Sequence, residues 1–188
     1  MKIKHEVINK AILECKECRL CESRTKVVPG EGHPFAELMF IGEAPGKEED
    51  ESGSPFVGRS GALLSKLILG LGLGRGQVFI TNIVKCRPPG NRMPELEEVT
   101  ACKKYLDQQI KSIDPKIIVL MGNVALFSCL KRSGVGTWRG NFFNEQDGRT
   151  YFVTCHPAAA LHAGGWMKAL SEDFKTLGAK IEQMRKKK

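Results

Sequence analysis

The stretch "LMFIGEAPGKEED" (residues 38–50) decides the fold. Its first four residues are all apolar. A strand with one wet face would alternate, so this run reads as a strand buried on both faces. A glycine-bearing loop follows directly, and in α/β folds ligands gather beyond the carboxyl ends of the strands. Glycine loops in that position usually hold phosphate. Yet this loop carries Glu43, Glu48, Glu49 and Asp50, with Glu51 next. Carboxylates repel phosphate, so a different chemistry is expected there.

Outward from this stretch the chain alternates apolar strands with helices. "VFITNIV" (78–84), "KIIVLMG" (116–122) and "YFVTC" (151–155) read as three further strands. Between them, "SGALLSKLILGLGL" (60–73) and "PELEEVTACKKYLDQQIKSI" (94–113) carry apolar residues at helical spacing, with Pro94 suited to a first turn. "HEVINKAILECKEC" opens the chain as a helix, "VALFSCL" (124–130) is a short one, and a last helix sets Met167, Leu170, Phe174, Leu177, Ile181 and Met184 three and four apart. Strands alternating with helices predict a parallel sheet covered on both faces. The loops "GEAPGKEED", "TNIVKCRPPGNR", "MGNVALF" and "CHPAAAL" leave the four strand ends, and function is expected there. The run "GLGLGRG" (70–76) precedes a strand instead of following one, so it reads as a helix stop and turn, not a dinucleotide fingerprint.

The 188 residues suffice for one domain over 1–188 with a real core. No apolar run approaches the ~20 residues of a membrane span, and "MKIKHEVINK" has no apolar signal core. An intracellular, cytoplasmic protein with no membrane partner is expected. Formal charge is +8, from 29 Lys and Arg against 21 Asp and Glu. That suits a polyanion such as nucleic acid, although part of the excess lies in the tail "MRKKK".

Seven cysteines in a reducing compartment point to metal ligation before disulfides. "ECKECRLC" holds Cys15, Cys18 and Cys21, and a C-x2-C pair brings two thiolates within reach of one metal or cluster. Cys86 lies in "KCRPPGNR". Cys102 falls in the apolar helical row Leu96, Val99, Cys102, Leu106, Ile110, Ile113 and also reads as a core residue, as do Cys129 and Cys155. By spacing, Cys15, Cys18, Cys86 and one more would form a structural four-thiolate site for zinc or an iron–sulfur cluster.

Together, "GEAPGKEEDESGSPFVGRSGALL" (42–64), "TNIVKCRPPGNR" (81–92) and "CHPAAAL" (155–161) resemble the family 4 uracil-DNA glycosylases, the thermostable bacterial and archaeal type. "RTKVVPGEG" (24–32) is similar to the same family. The resemblance covers nearly the whole chain. It implies a three-layer α/β/α fold with a central four-stranded parallel sheet, and excision of uracil from single- and double-stranded DNA. It implies a [4Fe–4S] cluster on Cys15, Cys18, Cys86 and Cys102, which overrules the core reading of Cys102 and leaves Cys21 as a competitor of Cys18. A monomer is expected; a sliding-clamp partner is not fixed by the sequence. The chain departs from the family in two respects. No Asn-Pro element follows the histidine motif. Ser54 and Ser60 stand where a basic residue and alanine are frequent. "VKCRPPGNR" lacks the Arg-Arg-Ile-His insertion of a covalently trapping subgroup, so no covalent adduct is expected.

The resemblance also assigns roles. Gly42, Glu43, Ala44, Phe56, Asn82 and His156 would surround a flipped uracil. Phe56 would stack on its face. Asn82 would donate to O4 and accept from N3–H, a pattern that cytosine reverses; a plain turn residue is the other use of such an Asn. His156 would stabilise charge growing on O2. Glu43 would favour the cationic sugar and orient or deprotonate the incoming water, which accounts for a carboxylate in the first loop. By their place on the loops around the same strand ends, Arg59, Lys85, Arg87 and Arg92 are expected to meet DNA phosphates, and Ala158 to Leu161 to enter the minor groove. Glu48, Glu49 and Asp50 read as solvated or helix-start charges. Two rival readings are a cluster-bearing module without catalysis, which the trio Glu43, Asn82 and His156 disfavours, and a phosphate-handling enzyme, which the carboxylates disfavour.

Overall fold

The run 38–42 forms a strand in which every residue is buried. Its alternate side chains feed two separate cores. Met39 and Ile41 pack with the first helix and the long central helix, and Leu38 and Phe40 pack with the helices of the opposite face. That is the physical content of an unbroken apolar strand: each face has its own helical layer.

The computed structural model describes residues 5–162 and 164–186; the first four residues and the last two of the basic tail lie outside them. In chain order the elements are α1 (His5–Leu13), α2 (Leu20–Ser23), β1 (Glu31–Gly32), β2 (Leu38–Gly42), α3 (Lys47–Ser52), α4 (Arg59–Gly70), β3 (Phe79–Asn82), α5 (Leu96–Ile113), β4 (Ile117–Met121), α6 (Asn123–Leu130), α7 (Val135–Trp138), β5 (Phe142–Asn144), β6 (Thr150–Thr154), α8 (Pro157–His162) and α9 (Gly164–Arg185). The sheet order is β1-β3-β2-β4-β6-β5. The four central strands β3, β2, β4 and β6 are mutually parallel. The fold is mixed α/β with three layers, as expected, but the sheet has six strands. The two extra ones are antiparallel edges of two and three residues, β1 on β3 and β5 on β6. They are short and partly exposed, so they leave no apolar period to read.

Parallel pairing lays the carboxyl ends of the four strands along one rim. Gly42 pairs with Asn82 at the ends of β2 and β3. Beyond that pair the Ile83 N–H still donates to the Gly42 carbonyl at 3.0 Å, and the Val84 N–H to the Glu43 carbonyl at 3.2 Å. The first loop and the loop after β3 are thus laced together before they diverge. After β6, residues 157–162 wind into helix α8, where the sequence suggested a loop. Gly70 ends α4 and Gly72 has a φ of 70°, so the glycine run is a helix stop.

Candidate active site

One cleft at this rim is lined by Glu43, Ala44, Pro45, Gly46, Glu49 and Phe56, by Asn82, Pro88 and Arg92, and by His156 and Ala158. The ends of β2, β3 and β6 therefore contribute to a single cavity, which contains the expected trio of Glu43, Asn82 and His156.

Gly42 sits beneath it. A Cβ there would lie 2.5 Å from Asn82 Oδ1 and 2.6 Å from Phe56 Cζ. Only hydrogen at that position lets both side chains converge over the strand end. Phe56 is buried and has a φ of 53°, unusual for a bulky residue. Three features hold it there. Its ring stacks on His156, with centroids 5.5 Å apart. Gly61, in the first turn of α4, leaves room for its carbonyl, which a Cβ would meet at 1.8 Å. Glu49 accepts N–H donation from Val57 at 3.0 Å and from Gly58 at 3.2 Å, while its other oxygen accepts from Gly46 at 3.1 Å. A carboxylate that gathers three backbone donors ties the first loop to the Phe56 segment.

Glu48, Glu49 and Asp50 all lie in the first turn of α3, as the helix-start reading had it, but Glu49 and Asp50 are not solvated. Both are buried. Asp50 accepts from the Thr25 N–H at 2.9 and 3.0 Å. Only Glu48 of the three is exposed. The pattern GxxE at the start of α3 was the available signal for Glu49, but the sequence did not show which backbone donors would turn toward it.

The chemistry of the cleft follows from burial. Asn82 is 1% exposed, and its Oδ1 has no hydrogen-bond partner. A buried acceptor left open is costly, so this atom is arranged for a donor that arrives from outside. His156 Nδ1 accepts from the Ala158 N–H at 3.2 Å. In the neutral ring the proton then lies on Nε2, a donor. Burial holds the ring neutral, with its pKa drawn down to about 4, opposed weakly by Glu49. Burial also raises the pKa of the half-buried Glu43.

The cations expected at DNA divide. Arg59 is exposed and lines an adjoining shallow cleft with Lys47, Ala158 and Leu161. Arg87 is half-buried, with Nε donating to Asn91 Oδ1 at 2.7 Å. Arg92 lines the main cleft, but its guanidinium forks onto the buried Glu98 at 2.6 and 2.8 Å. Lys85 is a correction. It is 1% exposed, and its ammonium donates inward to Thr81 and to the Asn82 carbonyl. It cannot touch a phosphate, because residues 83–86 are themselves buried as they leave β3.

Cys15, Cys18, Cys86 and Cys102 all line a second cavity, together with Cys21, Arg24, Lys85 and Tyr105. Cys102 also belongs to the core cluster, so both readings of it describe one position. Among the described residues no three metal-ligating side chains stand together as a site for a metal ion. Burial raises the thiols of Cys18 and Cys86, and that of Cys102 to about 11. Such thiols become ligands when bound cations displace their protons. Arg24 Nη1 donates to Cys86 Sγ at 3.1 Å, and the Lys85 charge favours the Cys102 thiolate. A pocket of thiols with positive charge beside them fits an anionic thiolate-bound cluster. Cys155 is buried and Cys129 half-buried, both outside this pocket.

Comparison with known proteins follows the same residues. The family model described as "Uracil DNA glycosylase superfamily" matches residues 29–177. A type-4 uracil-DNA glycosylase of Sulfurisphaera tokodaii is 50% identical over 181 residues, covering 92% of this chain and 82% of that protein. One from Saccharolobus solfataricus is 48% identical, covering 90% and 83%. One from Archaeoglobus fulgidus is 40% identical, covering 91% and 90%. The match spans the strands and loops that build the cleft, and the chain belongs to the uracil-DNA glycosylase superfamily, among its type-4 members.

Proposed function

We propose that this chain hydrolyses the N-glycosidic bond of deoxyuridine in DNA and leaves an abasic site. The observation that carries this is the single cleft shared by Glu43, Phe56, Asn82 and His156. A base inside a duplex must be extruded to reach such a pocket. The open Oδ1 of Asn82 suits the N3–H of uracil, and its amide N–H suits O4. Cytosine presents an acceptor at N3 and a donor at C4, so two buried groups would be left unpaired, at a cost of about 1–3 kcal/mol each. Phe56 offers the base a stacking face.

As the bond breaks, electrons move onto the ring and charge grows on O2. The Nε2–H of neutral His156 stabilises that charge more in the transition state than in the ground state. Glu43, as the carboxylate, favours the cationic sugar and orients the water that attacks it. The water's oxygen bonds to C1′, its proton goes to the carboxylate or bulk solvent, and uracil leaves as the anion.

Cys15, Cys18, Cys86 and Cys102 would hold a [4Fe–4S] cluster with a structural role, and Cys21 lines the same pocket. The bound cluster would cross-link the segment around α1 and α2 to the β3–α5 loop and to α5. Arg59 and Arg87 would meet phosphates, and Ala158 and Leu161 would fill the gap left by the base. The protein would act inside the cell as a monomer on single- and double-stranded DNA. No described helix is long and apolar enough to cross a membrane. The test is incubation with a uracil-containing oligonucleotide followed by alkali. Strand cleavage at uracil, and none at cytosine or thymine, is expected; an intact strand contradicts the proposal.

A further inference from the structure

Lys85 is among the largest fully buried side chains, and a buried ammonium persists only where its donors are met. Nζ donates to Thr81 Oγ1 at 2.6 Å and to the backbone carbonyl of Asn82 at 2.7 Å. The Thr81 hydroxyl donates onward to the Pro29 carbonyl at 2.9 Å, which also accepts from Gln109 Nε2 at 2.8 Å. The Lys85 carbonyl accepts from the Val28 N–H at 2.8 Å. Asn82 is thus gripped through its peptide from behind, while its side chain faces the cleft with Oδ1 unpartnered. From the front, Gly42 lets the amide approach the strand end closely, since a Cβ there would lie 2.5 Å from Oδ1.

We propose that Lys85 is a positioning residue for base reading, whose ammonium fixes the Asn82 peptide so that the amide meets the pyrimidine edge at a set angle. This rests on the role of Asn82 proposed above. Lys85 acts through Asn82 and touches neither base nor phosphate. Its effect should therefore disappear when the Asn82 amide is removed, which neither a DNA contact nor a general stability role would do.

The test is a double-mutant cycle on iron-replete protein: wild type, Lys85→Met, Asn82→Ala and the pair, with single-turnover excision measured on a uracil oligonucleotide. Lys85→Met is expected to slow excision about tenfold or more in the wild-type background and less than about twofold in Asn82→Ala. DNA affinity and its salt slope should match wild type. Equal loss in both backgrounds overturns the proposal. So does weaker binding with a salt slope reduced by about 1 and an unchanged saturating rate, the signature of a phosphate contact. If Lys85→Met does not fold, Thr81→Val removes one of the two acceptors and should show a smaller loss with the same dependence on Asn82; a loss independent of Asn82 counts against the proposal. A wild-type protein that leaves uracil in place contradicts the functional reading itself. An active wild type with an equally active Lys85→Met contradicts only the role of Lys85.

Discussion

Burial moves Glu43 and His156 in opposite directions, and each shift favours the neutral form of its group. His156 is held neutral down to about pH 4, so it is a neutral donor throughout the physiological range. Glu43 has a raised pKa, so it takes up a proton at a higher pH than an ordinary carboxyl. As pH falls, the first active group to change state is therefore Glu43. Single-turnover excision should decline through an acid limb above the ordinary carboxylate range, and Glu43→Gln should abolish that limb. The same substitution should slow excision about 100-fold while changing DNA affinity little; equal rates for both forms would remove Glu43 from the chemistry. The residues that line this cleft were legible through the family resemblance, while the carboxylates of the first loop by themselves argued only against a phosphate cradle. The buried partners were not legible. Lys85 and Asp50 look like surface charges in one dimension, and only the path of the backbone around them shows that they face inward.

At the scale of elements, the apolar strands and the periodic helices were readable because burial on both faces leaves no polar interruption. The edge strands β1 and β5 escaped because two or three half-exposed residues carry no period. Helix α8 escaped because "PAAALH" is too short to show one. That helix now has a testable part. Ala158 lines both the main cleft and the shallow cleft beside it, and Leu161 lines the latter alone. A residue there can occupy the space left in a duplex by an extruded base, a need that single strands lack. Leu161→Ala should slow excision from duplex DNA by about tenfold and from single strands by less than about twofold. Identical losses on both substrates would rule out the wedge.

Across the whole molecule, two cavities lie on either side of the β3 exit, the cleft ahead of Asn82 and the thiol pocket behind Lys85. The thiols come from α1–α2, the β3–α5 loop and α5, so a group bound by all four adds cross-links that the unfolded chain lacks. On the proposed cluster assignment the purified protein is expected to be brown, and stripping iron with a chelator should bleach it and lower the melting temperature by more than about 5 °C. Unchanged melting after complete iron loss would refute a structural cluster. The central claim is that Glu43, Phe56, Asn82 and His156 surround one extruded uracil, and a crystal structure with free uracil bound tests it most directly. The ring is predicted in this cleft, with N3–H and O4 within hydrogen-bond distance of the Asn82 amide and O2 within reach of His156 Nε2. Uracil bound elsewhere, or in the cleft with Asn82 turned away from it, would contradict the account.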